Sequence, residues 1–193
     1  MLSFATVHTI TGCLVRADAR AEHAAGPDTA TLLVIRERPV AGRRGCGVLR
    51  QVSVAAYPLA DAYLSHGLPA ALHALADTLA APPPGSSGHP DPSAGDGTVA
   101  DRMPPVSGGP GRLLAYAVLY PDPTLGPHAL GTPRRIDAVD TDARVYQLTR
   151  HPGDPCPVVI VCDHPQRRDA PATVAGLTAL LTATGSRAPA VRP

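Results

Sequence analysis

RRIDAVDTDARVYQLTR, residues 134–150, decides the reading of the fold. Arg134–Asp140 and Arg144–Arg150 have strand composition, and only Thr141, Asp142 and Ala143 separate them. A connection that short joins neighbouring antiparallel strands, so the stretch predicts a β-hairpin. Working outward, TLLVIRER (31–38) predicts a strand whose Arg36, Glu37 and Arg38 end is wet. Residues 40–47, VAGRRGCG, form a glycine-rich loop, and Val48–Tyr57 returns as a strand with Val48, Arg50, Val52, Val54 and Ala56 on one face. That is a second hairpin. LLAYAVLY (113–120) is apolar on both faces and suits a central strand, while VVIVC (158–162) predicts a buried strand by composition.

The amino-terminal stretch Ser3–Ile10 alternates, with Phe4, Thr6, His8 and Ile10 on one side, and is expected to be a first strand. Ile10-Thr11-Gly12-Cys13 is shaped like a lipoprotein cleavage box. No basic residue precedes it and polar residues interrupt the apolar run, so no leader is expected. Leu64, Leu68, Leu72, Leu75 and Leu79 recur at helical spacing, with Gly67 and Pro69 between them. This predicts a short helix ending near Ser65 and a second from about Pro69 to Ala81. A last helix is expected over about 170–184, with Asp169 as N-cap, Gly185 as C-cap and a stripe of Val174, Leu177, Leu180 and Leu181.

The fold class is therefore α+β: an antiparallel or mixed sheet built from hairpins, with two or three helices packed on one face. No βαβ alternation points to a doubly wound sheet. Residues 82–111 are rich in Pro, Gly and Ser and hold almost no large apolar side chain. Such a segment buries too little surface to offset its ordering entropy and is expected to be disordered. The chain thus divides into a hairpin-plus-helix half (1–81), a linker or insertion (82–111), a β-meander-plus-helix half (112–185) and a tail (186–193). Whether the two halves share one core is left open by the pattern.

Of 193 residues, 44% are hydrophobic but only 3% aromatic, so the core must be built from Val, Leu, Ile and Ala. All 17 basic residues are Arg, and 14 of the 16 acidic residues are Asp. That bias matches GC-rich coding and weakens any argument from arginine abundance. A net charge of +1 gives no general attraction to nucleic acid or to an anionic membrane. No run approaches the roughly 18 apolar residues a spanning helix needs. Four cysteines without an export signal are expected to be reduced thiols in a cytoplasmic protein.

His151, Cys156, Cys162 and His164 are all zinc-binding residue types within fourteen positions. Cys162 and His164 share a face if the strand continues, and zinc takes four such ligands in a tetrahedron. The plainer alternative is a small core cysteine and solvated histidines. Cys46 lies between two glycines beside Arg43 and Arg44, whose charge would favour the thiolate, but no nearby His supplies a base. Asp137, Asp140 and Asp142 form an acidic group near a turn, where Asp more often bonds its own backbone than a cation. Arg36, Arg38, Arg43, Arg44 and Arg50 gather at the first hairpin and are candidates for phosphate or nucleic-acid contact. No G-x-S-x-G, dinucleotide fingerprint or P-loop occurs.

Three functions follow as expectations. The first is a non-enzymatic binding, accessory or regulatory protein with a protein partner or a second copy, self-associating through a sheet edge or the Leu64–Leu79 helix. The second is a zinc-dependent enzyme, hydrolytic in chemistry, centred on His151, Cys156, Cys162 and His164. The third is nucleic-acid binding through the Arg-bearing hairpin.

Overall fold

Ser3 begins the first element. Its side chain accepts the backbone N–H of Thr6 and its carbonyl accepts that of Val7, which is how a serine N-cap opens a helix. The structure, a computed structural model, describes residues 1–23, 29–40, 49–81, 111–126, 131–163 and 170–185. Helix α1 runs Phe4–His23, so the expected first strand is a helix instead. Val7, Ile10, Leu14, Ala17 and Ala21 recur at three and four residues and pack together under it. Thr9 and Thr11 donate their hydroxyls to the carbonyls of Ala5 and Val7 four residues back. Phe4, the chain's sole Phe, is 87% exposed.

Among the described residues six strands follow: β1 Thr31–Val40, β2 Leu49–Pro58, β3 Arg112–Pro121, β4 Arg134–Asp140, β5 Val145–Arg150 and β6 Val158–Cys162. Helix α2 is one turn, Asp61–Leu64; α3 is Leu68–Ala80 and α4 is Ala172–Gly185. The strands form one antiparallel sheet in the order β2-β1-β3-β4-β5-β6. β1 of the first hairpin pairs directly with β3, from Thr31↔Leu119 to Glu37↔Arg112, so chain from both sides of residues 82–110 builds the same sheet. The Pro/Gly/Ser-rich segment itself lies outside the described residues, apart from Gly111.

Alternation along the strands sends side chains to two cores. Leu32, Val34, Tyr116, Val118 and Val139 meet α3 and α4 on one face. Leu33, Ile35, Ala117, Ile136, Tyr146 and Leu148 meet α1 on the other. The expected pair of helices on one face is α3 with α4, and α1 covers the second face. Leu114 and Ala115, adjacent in sequence, both face α1 because the β1–β3 register shifts at Ile35/Arg36. Gly176 brings α3 and α4 close: a Cβ there would sit 2.6 Å from the Leu72 Cβ.

VVIVC is not the buried strand its composition suggests. It pairs with β5 on one side and forms the edge of the sheet on the other. Val158, Ile160 and Val161 are 62%, 56% and 41% exposed. Composition reports a liking for β structure; a strand's place in the sheet depends on distant partners.

Candidate functional site

Among the described residues three carboxylates are fully buried, and each is held by an arginine. Asp18 of α1 accepts the Nε–H groups of Arg134 and Arg150, at the ends of β4 and β5. Glu22, one turn on, lies 3.2 Å from Arg150 and 3.9 Å from Arg134. On the opposite face Asp137 accepts from Tyr120 (2.7 Å), Thr173 (2.6 Å) and Arg135 (2.9 Å). Asp140 takes the N–H groups of Asp142 and Arg144 on one oxygen, and Tyr146 and Arg144 side chains on the other. Unpaired, such charges would cost several kcal/mol each on burial, so these are satisfied structural networks.

The networks also set the phenols. Burial, then the charge of Asp137, pushes Tyr120 well above its ordinary value. Burial and the Asp140 hydrogen bond do the same for Tyr146. Asp142 moves the other way: the Leu2 N–H bonded to it lowers its carboxyl. Asp137 and Asp140, read in sequence as neighbours, point to opposite faces of β4 and bind different partners. Their alternation on the strand separates them.

The thiol and imidazole candidates are distributed along the β5–β6 region. His151 directly follows β5, Cys156 is exposed in the connecting loop, and Cys162 is half-buried at the end of β6. His164 lies outside the described residues. Among the described residues no three His, Cys, Asp or Glu side chains gather as a metal set. Cys46, Arg43 and Arg44 also lie outside them. Of the remaining hairpin arginines, Arg50 pairs with Glu37 at 2.6 Å on the α1 side of the sheet. Arg36 follows Leu32 and Val34 by alternation and lies near Tyr116 on the opposite side. The strand pleat therefore divides this basic group between the two faces.

What the sequence reading missed is the β6 edge. β5 takes up one row of its backbone groups from Val145↔Cys162 to Thr149↔Val158. Among the described residues no strand pairs with the other row. Between Pro157 and Asp163 the strand carries no charge and no proline. Edge strands are usually blunted by charge, proline or cover, since a bare edge templates further pairing. The opposite edge, β2, carries Arg50, Gln51 and Ser53 and ends at Pro58. A signal was present in the sequence: β6 is five residues long and is followed by the polar run Asp163–Asp169, which suits the last strand of a sheet.

Among the described residues no helix is long and apolar enough to cross a membrane. No protein-family model, no curated protein and no solved structure matches the chain.

Proposed function

We propose that this protein is a non-enzymatic binding protein that acts by self-association, with β6 of one copy pairing antiparallel to β6 of a second. The observation that carries the reading is the apolar exposure of Val158, Ile160 and Val161 on an edge with which, among the described residues, no strand pairs. A two-fold axis at Ile160 sets Val158 opposite Cys162 and Val159 opposite Val161. Because the strand is uncharged, no like charges meet across that axis. Pairing satisfies the free row of N–H and C=O groups and covers side chains on both faces of the sheet. It is also an isologous contact, the commonest geometry of soluble homo-oligomers. The partner class is thus a second copy of this chain, in an accessory or regulatory assembly.

The test is sedimentation equilibrium across a wide concentration range on the full chain and on Ile160→Arg. The arginine side chain is set in an exposed position, so the fold should survive. Two arginines would then face each other at the axis. The expected result is a dimer for the parent and a folded monomer for the variant. A parent that stays monomeric at every concentration, or a variant that dimerises unchanged, rejects the reading.

A further inference from the structure

Among the described residues, the α1 face of the sheet is only partly covered over β1 and β2. The bonds of Asp18 to Arg134 and Arg150 hold the second half of α1 toward the β4–β5 side. Across β1 and β2, Leu33 pairs with Ala56 and Ile35 with Val54, so Val54 and Ala56 look toward the same face. The helix meets this region with Ala17 and Ala21, which are too small to fill it. The result is a pocket of about 310 Å³, floored by Leu33 and Leu119 and walled by Ala17, Ala21 and Val54. That is the lower end of the size range for small-molecule sites, which are apolar with a few polar groups to orient the ligand.

One charge lines the pocket. Arg20, one turn from Ala17, is exposed at its rim, and among the described residues no carboxylate shares the lining. The nearest acids along the helix, Asp18 and Glu22, are engaged with Arg134 and Arg150. Thr31 adds a hydroxyl, which donates to the Thr29 carbonyl at 3.3 Å. We propose that this pocket binds a small amphipathic carboxylate, with its apolar body between α1 and β1–β2 and its head group on the Arg20 guanidinium. Arginine suits that head group because its planar fork donates two parallel hydrogen bonds to a carboxylate. An uncharged ligand of the same shape leaves the guanidinium solvated and gains only the apolar contacts.

The site lies at the β2-β1-β3 end of the sheet, with β4 and β5 between it and β6, and does not depend on the self-association reading. Calorimetric titration of the full chain with octanoate and with 1-octanol tests it. Octanoate should bind saturably and about tenfold more tightly than the alcohol. Arg20→Gln should erase that difference and leave alcohol binding unchanged. Ala21→Leu, which fills the pocket from the helix wall, should abolish binding of both, with circular dichroism reporting the fold of each variant. Absence of octanoate binding at millimolar concentration overturns the proposal. So does equal binding of acid and alcohol, or binding that persists in folded Ala21→Leu. Sedimentation of the same samples keeps the two proposals apart, since dimerisation should not change with either variant.

Discussion

Asp18 and Arg150 stand 132 positions apart in the chain and form one ion pair, buried between α1 and the end of β5. Arg134 completes the group from β4. Asp18→Ala removes the buried counter-charge and leaves two nearly buried guanidinium groups with only the half-exposed Glu22 of α1 beside them. Breaking one side of a buried pair costs about 3–5 kcal/mol. The Arg50–Glu37 pair provides the contrast, because the Arg50 side chain is 66% exposed. Solvent screens it, and Arg50→Ala should cost no more than about 1 kcal/mol. Urea denaturation of the two variants measures both. Equal small losses would mean that α1 is not held by Asp18.

Two glycines in helices should respond to alanine with opposite signs. Alanine is favoured over glycine inside a helix by roughly 1 kcal/mol. At Gly12 in α1, the nearest atom to a new Cβ is the tip of the flexible Arg16 side chain at 3.4 Å, so Gly12→Ala should gain most of that. At Gly176 in α4, the new Cβ would lie 2.6 Å from the Leu72 Cβ and 3.3 Å from the Pro69 carbonyl. Neither atom yields without moving α3. Overpacking of this kind costs about 1–3 kcal/mol and outweighs propensity, so Gly176→Ala should be destabilising. Thermal unfolding of the pair gives the signs directly.

Thr173 fastens the start of α4 to the sheet by donating its hydroxyl to Asp137 at 2.6 Å. Thr173→Val keeps the shape and removes the donor. Asp137 retains Tyr120 and Arg135, so the carboxylate is weakened and not orphaned. Hydrogen bonds to charged groups contribute about 1.5–3 kcal/mol, which sets the expected loss. The loss should be smaller in a Tyr120→Phe background if the two donors act as one network, and a double-mutant cycle measures that coupling.

These relationships explain what was legible in the sequence. Hairpins could be read because each is local: strand, connection and strand lie within residues 31–57 and 134–150, and period-2 alternation marks their faces. The α3 and α4 stripes were readable for the same reason. α1 was not, since four alternating positions from Phe4 to Ile10 fit a strand as well as a helix. Ala17 and Ala21 also added little apolar weight to the longer stripe. Of the site residues, Val158 and Ile160 were named only as core. Their exposure follows from β6 lying last in the sheet, and strand order is set by pairings between distant segments. Asp18 with Arg134 and Arg150 lay beyond any sequence window for the same reason.

The phenols give the chain a defined alkaline limit. Burial is the first cause of the raised values at Tyr116, Tyr120 and Tyr146, with Asp137 and Asp140 adding to it at the last two. A phenol ordinarily loses its proton near pH 10. In the folded protein these three hold theirs to higher pH, so above that point the folded state binds more protons than the unfolded state. Stability from them is therefore complete below about pH 10 and is lost as pH rises toward the folded values. Phenolate absorbance followed against pH should show these tyrosines ionising late in the native protein and normally in urea. Unfolding free energy should fall above about pH 10, and less steeply in Tyr146→Phe, which removes one raised group. Early ionisation of all three in a protein that stays folded would contradict their burial.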